Sequence, residues 1–378
     1  MNLRFSRAAA GMIAAALSFS AVPAAHAAEP ALAAPGAPMR MLPVNPPATI
    51  TNVYGDQVKV PPEAFVQLCS QGPIGTIRTL DGTTQHVMLT ASHCINPMPG
   101  MPAMDDAVSV NVDGEYQRIG TRGHSNHVPP AALDLSDPVA TYNTADWGVV
   151  LIDDGVTDTR TAQSRGNGQA QPSEPVVLTS IKDYRTLAPG AISFDNAGQP
   201  ICKDGSTTGR TCGTQLFRNR DGVFSWDLNY VVGDSGGVNY DPRDNSVIGV
   251  SSMVLGPLGK AQAADRIIEE AYGIPDGAVN DHFTLTESTA PHAALPTAAE
   301  EFADMGEQIE AMNPDLAQTD PKAELDKAIA GAQQDAQRIV DEALRGNLDI
   351  AEAQHTAGYH AGKLTQLGEL ALQQKLLG

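Results

Sequence analysis

The chain has 378 residues, enough for one large domain or two ordinary ones with a sizeable buried core. Its 42% hydrophobic and 18% charged content is that of a globular protein and argues against a disordered chain. The 44 acidic and 24 basic residues give a net charge of -20. No Lys/Arg-rich run offsets this charge, so nucleic acid and anionic lipid are not expected partners.

Residues 1–27 carry the three-part pattern of a secretory signal. The basic start MNLRFSR precedes an apolar stretch, AAAGMIAAALSF, and a small-residue region, AVPAAHAAEP. The apolar stretch is too short to span a bilayer, and no later segment is apolar for long enough. We expect cleavage near Ala27 or Ala28 and a secreted, extracellular protein without stable membrane insertion. A retained membrane anchor is the alternative, and association with the cell envelope stays open.

The chain contains four cysteines, an even number, which in an exported protein favours disulfides. The partners nearest in sequence are Cys69–Cys94 and Cys202–Cys212, and each pair would contribute roughly 2–4 kcal/mol. There is no Cys-x-x-Cys pair and no nearby histidine at ligand spacing. We therefore expect no metal site at these cysteines, and the sequence implies no metal or organic cofactor.

The organisation of the chain changes near residue 50. Residues 28–50 are rich in Ala and Pro and predict an extended leader. From about 51 to 290, short apolar or β-branched runs recur between turn residues, which is typical of an all-β barrel or sandwich. The segments TLDGTTQ and NYDPRDNSVIG predict hairpins.

Helical patterns follow. AQAADRIIEEAYG predicts a helix that ends at Gly273. A second helix carries apolar residues at three- and four-residue spacings until Asn313-Pro314 breaks it. Two further helical stretches are predicted at 321–345 and 350–377. We expect residues 313–378 to form a helical C-terminal extension, which either contacts an envelope partner or second copy or packs on its own domain.

The stretch VVGDSGGV, residues 231–238, is either a tight turn or a turn that presents Ser235 as a nucleophile. A serine hydroxyl needs a base and an acid that orients this base. His93 follows an apolar strand in HVMLTASHCIN, and Asp146 precedes another in TADWGVVLIDD. Each residue alone could be structural. Their joint occurrence, in the order His93, Asp146, Ser235, favours nucleophilic catalysis.

These contexts resemble the chymotrypsin-like (trypsin-like) serine proteases. LTASHC looks like the histidine motif of that family, ADWGVV is similar to its aspartate motif, and GDSGG matches its serine motif. ICKDGSTTGRTCG, residues 201–213, is similar to the bacterial streptogrisin and α-lytic branch. The resemblance covers about residues 51–312, which we expect to form the protease domain.

The resemblance implies a mainly β fold of two six-stranded Greek-key β-barrels, with the active site in the cleft between them. It implies a serine endopeptidase that forms an acyl-enzyme on Ser235, with His93 as the base and Asp146 as the orienting acid. The backbone N–H groups of Gly233 and Ser235 would form the oxyanion hole. An acid at the position of Asp234 would pair with a buried cation or with hydrogen-bond donors.

The resemblance also places Ser252, Met253 and Val254 on the wall of the substrate pocket. No acid stands where a trypsin-like pocket carries one, so cleavage after Lys or Arg is not expected. Val254 stands where the family usually has glycine, which predicts a preference for small or medium apolar P1 residues. Residues 257–280 look like an insertion before a last strand, HFTLTE, and form a surface loop or a lid.

Three functions are thus open. The first is a protease acting on a protein or peptide substrate, and the second is an esterase with the same triad. The third is a catalytically silent, protease-like binding protein of the cell envelope.

Overall fold

The computed structural model describes residues 29–51, 57–98, 101–126, 143–314, 321–345 and 356. The predicted signal sequence lies outside these ranges, as does nearly all of the predicted helix at 350–377. Within the described ranges, no helix is both long and apolar enough to cross a membrane.

Most of the described elements are strands. In chain order they are β1 (Pro38–Pro43), β2 (Thr49–Thr51), β3 (Gln57–Lys59), β4 (Gln67–Ser70), β5 (Ile74–Arg78), β6 (Thr84–Ala91), β7 (Met104–Val112), β8 (Glu115–Ser125), β9 (Trp147–Ile152), β10 (Thr161–Ala162), β11 (Val176–Val177), β12 (Pro200–Gly205), β13 (Gly209–Arg218), β14 (Gly222–Trp226), β15 (Val238–Tyr240), β16 (Val247–Leu255), β17 (Leu258–Ala263) and β18 (Phe283–Leu285). The α-helices are α1 (Ser92–Ile95), α2 (Ala264–Tyr272), α3 (Val279–His282), α4 (Ala298–Met312) and α5 (Pro321–Leu344), and a 3-10 helix spans Pro62–Phe65.

The first half of the molecule is an eight-stranded antiparallel sheet, in the order β18-β5-β6-β9-β8-β7-β1-β4. Strands β4 and β5 lie near opposite ends of this order, yet only residues 71–73 connect them. Such a connection spans at most about 14 Å, so the sheet must curl until its two ends approach each other. The last five residues of β6 are all buried, as expected for a strand covered on both faces.

The second half contains a closed barrel of six strands, in the order β12-β13-β14-β17-β16-β15. The predicted hairpins form, since β5 pairs with β6 across Asp81-Gly82 and β15 pairs with β16. Gly82 has φ +87°, a backbone conformation that favours glycine. The predicted fold class is confirmed as mainly β, with a closed six-stranded barrel, a second antiparallel sheet and helices near the end of the chain. The first unit has eight paired strands rather than six, because β1, from the segment predicted as a leader, and β18, from the far end of the chain, both join it.

The extended leader predicted at 28–50 is wrong over its described part. Strand β1 pairs with both β4 and β7, and Ala31 and Ala33 are fully buried. The small Ala side chains let the backbone lie close against a packed surface. The prediction failed because a segment of this kind has the same Ala-rich composition as a linker.

The insertion predicted at 257–280 is also wrong. Strand β17 closes the barrel between β14 and β16, and only then does helix α2 begin. This helix ends at Gly273 with φ +67°, as predicted. The predicted last strand is β18, which pairs with β5 of the first sheet rather than within the barrel. The sequence of β17, LGKAQA, was missed because its buried residues include Lys260 and Gln262.

Helix α4 begins at a capping box, in which Thr297 and Glu300 satisfy each other's backbone N–H groups. It ends at Asn313, as predicted. Glu301 anchors it to the first sheet through the buried Arg40, with 2.7 Å between Nε and Oε2. Phe302, on its apolar face, remains 51% exposed. Whether the extension that follows contacts a partner or its own domain stays a prediction.

Candidate active site

His93 and Asp146 are brought together by the pairing of β6 with β9. The register opposes Ala91 to Trp147, so the turn after one strand faces the residue before the other. His93 lies in α1, and its Nδ1 is 2.8 Å from Asp146 Oδ2. The backbone N–H of His93 donates to Asp146 Oδ1 at 3.1 Å, so both carboxylate oxygens hold the same residue. The Asp146 side chain is fully buried.

This pairing determines the protonation of His93. Burial alone lowers the pKa of the imidazole, but the charge of Asp146 and its hydrogen bond outweigh burial and raise it above the ordinary 6.5. The hydrogen bond at Nδ1 also leaves Nε2 as the nitrogen available to a substrate or nucleophile. The adjacent disulfide, Cys69–Cys94, ties α1 to β4.

The second barrel supplies three further groups around Asp146. Ser252 Oγ donates to Asp146 Oδ2 at 2.6 Å, and Gln262 Oε1 accepts from the Asp146 N–H at 2.8 Å. The third is Lys260, which is fully buried and donates to the carbonyl of Thr144 at 2.5 Å. Burial lowers the pKa of Lys260 to about 8, although the negative charges of Asp146 and Asp221 oppose this shift. The acid is thus held from both halves of the molecule.

Ser235 lies in a turn of the second barrel that packs on the first sheet. Its carbonyl accepts from the N–H of Ser70 at 2.7 Å. A Cβ on the next residue, Gly236, would lie 2.7 Å from Thr90 Oγ1 and 3.3 Å from Cys94 Sγ. The close approach of the turn to β4 and β6, together with φ +79°, therefore requires glycine at 236, and Cys94 of α1 lies beside the same position.

The same turn presents two backbone N–H groups. Among the described residues, neither the N–H of Gly233 nor that of Ser235 has a hydrogen-bond acceptor. The carbonyl of Asp234 accepts from Gly237 at 3.0 Å. In a trans peptide the N–H points opposite to the carbonyl, so the Ser235 N–H points away from Gly237. Such a pair of free N–H groups can bind an oxyanion.

Gly233 has φ +94°, a conformation that L side chains rarely adopt. A Cβ there would lie 2.2 Å from Thr207 Oγ1. The carbonyl of Gly233 accepts from Ser70 Oγ at 2.7 Å and from Ser206 Oγ at 3.1 Å. These two hydroxyls fix the orientation of the turn.

Asp234 anchors the turn from inside the barrel. Its carboxylate lies 3.3 Å from Lys203 Nζ, and both side chains are fully buried. It also accepts from Thr208 Oγ1 at 2.6 Å and from the N–H groups of Thr207, Thr208 and Val231. Burial lowers the pKa of Lys203, and the charge of Asp234 opposes this shift. The buried cation expected for Asp234 is thus Lys203, on β12.

A cavity of about 110 Å³ opens beside Ser235. It is lined by Tyr230, Val231, Val232, Ser235, Ser251, Ser252, Met253 and Val254, and carries no charged side chain. All three residues predicted for the pocket wall thus line it, and Val254 remains 38% exposed. The second disulfide, Cys202–Cys212, joins opposed residues of β12 and β13.

In the described part of the chain, no hydrogen bond joins Ser235 Oγ to His93 Nε2. Hydrogen bonds of this kind are often long or poorly aligned in free enzymes and tighten when substrate binds.

Sequence reasoning found His93, Asp146 and the 231–238 turn from their local motifs. It missed Ser70, Lys203 and Gln262, whose roles come from contacts across the fold. One signal for Lys203 was available in the sequence, since this lysine lies between the two cysteines of a disulfide hairpin. A lysine that is buried there needs a partner of opposite charge, because unpaired lysines are seldom buried.

Comparison with solved structures returns chymotrypsin-like proteases. Protease A of Thermobifida fusca has 18% identity and a TM-score of 0.38, covering 67% of this chain and 99% of that chain. A Nocardiopsis protease has 19% identity and a TM-score of 0.33, covering 54% of this chain and 89% of that chain. An inactivated protease paralogue of the scabies mite has 10% identity and a TM-score of 0.28, covering 53% and 93%. No protein-family model and no curated protein matches the sequence. At identities and scores this low, the site is assigned from its own geometry.

Proposed function

We propose that this protein is a secreted serine endopeptidase with His93, Asp146 and Ser235 as its catalytic residues. The observation that carries the proposal is the buried His93–Asp146 hydrogen bond, 2.8 Å long, beside a turn that presents Ser235 and two free N–H groups. The disulfides and the signal-like N-terminus support export.

The reaction proceeds through an acyl-enzyme. Ser235 Oγ attacks the scissile carbonyl while His93 Nε2 takes its proton and then passes it to the leaving amine. Asp146 keeps the proton of the imidazole on Nδ1 and stabilises the imidazolium. The N–H groups of Gly233 and Ser235 bind the oxyanion, and one lost donor there typically costs about 10²–10³ in turnover.

The cavity beside Ser235 supports specificity for small or medium apolar P1 side chains. It has a volume of about 110 Å³ and no charged lining residue, and Val254 forms part of its wall. An ester would bind in the same geometry, so an esterase is the narrower alternative. A silent, protease-like binding protein is the broader alternative.

A fluorophosphonate probe tests the proposal. We expect covalent labelling of the wild-type protein that is absent in Ser235→Ala, with Ser246→Ala as the matched control that labels normally. A folded wild-type protein that does not label would favour the binding protein. A peptide library and an ester series, compared by kcat/KM, would then separate endopeptidase from esterase.

A further inference from the structure

A cluster of carboxylates lies at one end of α2, on residues that take no part in the candidate active site. One oxygen from each of Asp183, Glu269 and Asp276 lies within 4.8 Å of the others. Asp183 comes from a loop after β11, Glu269 from the C-terminal half of α2, and Asp276 from the segment after the end of this helix.

Each carboxylate has one oxygen held by the protein. Asp183 Oδ2 accepts from the Val279 N–H at 3.1 Å, and Asp276 Oδ1 accepts from the Thr186 N–H at 3.1 Å. Glu269 Oε2 accepts from the hydroxyl of Thr186 at 3.2 Å and from the guanidinium of Arg266. The carboxylates are therefore fixed in position.

The second oxygen of two of these carboxylates has no donor within the described residues. Asp183 Oδ1 and Glu269 Oε1 are buried, and neither has a hydrogen-bond partner among the described residues. Glu269 as a whole is only 6% exposed. A buried carboxylate oxygen without a partner is costly, so this arrangement points to a ligand that supplies positive charge.

The charge balance of the cluster supports a cation. Arg266 is the guanidinium at hand, and it is shared among Glu269, Glu270 and Asp221. Within the described residues, Arg266 pairs with only one of the three cluster carboxylates, Glu269, and Asp183 and Asp276 have no ion pair. Negative charge therefore exceeds positive charge around the cluster.

We propose that Asp183, Glu269 and Asp276 form a Ca²⁺ site. Ca²⁺ takes six to eight oxygen ligands at about 2.3–2.6 Å, and ligands on its opposite sides are about 4.6–5.2 Å apart, so one ion can contact all three carboxylates. Asp276 is exposed, which gives an entry path and room for water ligands. Mg²⁺ fits less well, because it demands octahedral geometry and gives up water reluctantly. The ion would tie the loop at Asp183 to α2 independently of catalysis.

Thermal unfolding of the full chain at about pH 8 tests this site, with CaCl₂, MgCl₂ or EDTA added. For a Kd of roughly 10⁻⁴–10⁻³ M, about 10 mM Ca²⁺ should raise Tm by about 3–10 °C, and Mg²⁺ by much less. Tb³⁺ should bind with luminescence sensitised by Tyr184, next to Asp183 in sequence, and Ca²⁺ should displace it.

Two variants remove ligand charge without removing volume. Asp276→Asn changes an exposed side chain, so it should fold, and Glu269→Gln changes the buried oxygen. Both should lose the Ca²⁺-dependent rise in Tm and the Tb³⁺ emission. In EDTA, Asp276→Asn should unfold no earlier than wild type, because mutual repulsion is relieved, whereas Glu269→Gln also weakens the ion pair with Arg266 and should unfold earlier. Asp154→Asn, exposed and outside the cluster, should keep the full response. A wild-type Tm that Ca²⁺ does not change, or a full response in Asp276→Asn, would overturn the site.

Discussion

Lys203 and Asp234 form an ion pair inside the closed barrel, with Nζ 3.3 Å from Oδ2 and both side chains fully buried. The pair joins β12 to the turn that presents Ser235. The Asp234 carboxylate makes five hydrogen-bond or ionic contacts. The conformation of the turn that presents Ser235 therefore depends on Asp234 and Lys203, which lie inside the barrel.

Replacing Lys203 by Met should destabilise the protein by about 3–5 kcal/mol, because it leaves the charge of Asp234 buried and unpaired. Labelling of Ser235 by the fluorophosphonate probe should also decrease, because the turn that presents Ser235 loses its anchor. Adding Asp234→Asn to Lys203→Met should restore most of the stability. Urea unfolding of the two single variants and the double variant checks this, and a Lys203→Met protein as stable as wild type would contradict it.

Asp146→Asn should lower kcat on the order of 10⁴-fold, because the imidazole loses the acceptor that keeps the proton on Nδ1. The pH profile should also move. Activity requires neutral His93, so wild-type kcat/KM should fall as pH drops through a pKa above 6.5. Without the charge of Asp146, burial dominates and that acid limb should shift to lower pH. As control, Ser252→Ala removes one hydrogen bond to Asp146 but keeps its charge, so its acid limb should stay near that of wild type.

Lys260→Met should change how stability depends on pH. The folded-state pKa of Lys260, about 8, lies below its ordinary 10.5, so folding favours the neutral amine. Above about pH 10.5 the lysine is neutral in both states and does not change the free energy of unfolding. As pH falls from 10.5 toward 8, that free energy declines, and below pH 8 the loss is about 3 kcal/mol. The variant should lack this decline. Unfolding free energies between about pH 8 and 10 measure it, and equal slopes for wild type and variant would refute it.

Val254→Gly should widen the cavity beside Ser235. We expect kcat/KM for a phenylalanine P1 substrate, relative to alanine, to rise at least about tenfold, since excluded volume in a pocket is worth roughly 1–3 kcal/mol. Val232→Ala is the matched control: Val232 lines the same cavity but is 87% exposed, so its truncation should leave the ratio unchanged. A widened variant with unchanged selectivity would place the P1 side chain elsewhere.

The two disulfides should differ in what their loss affects. Replacing either pair by serines should cost about 3 kcal/mol of stability through loop entropy. Only the loss of Cys69–Cys94 should also lower kcat, because Cys94 neighbours His93 in α1. Equal kcat losses for both pairs, measured where each variant is fully folded, would speak against this difference.

Local signals in the sequence predicted much of the local structure. The hairpin at Asp81-Gly82, the helix end at Gly273 and the break at Asn313 depend on residues next to each other in the chain. Both disulfide pairs also followed from sequence proximity. Neither β1 nor β17 could be predicted this way, because their composition matches a linker or a polar loop, and only their pairing partners make them strands.

The sequence by itself determined the candidate residues His93, Asp146 and Ser235, because motif contexts are written in consecutive positions. Tertiary structure alone decided what surrounds them: Lys203 under Asp234, Ser252 and Lys260 behind Asp146, and the carboxylates of Asp183, Glu269 and Asp276 in one cluster. Most of these contacts join residues tens to more than a hundred positions apart, such as Lys203 with Asp234 and Asp146 with Ser252. No motif of neighbouring residues reveals such contacts, because they form only when strands pair and the barrel closes.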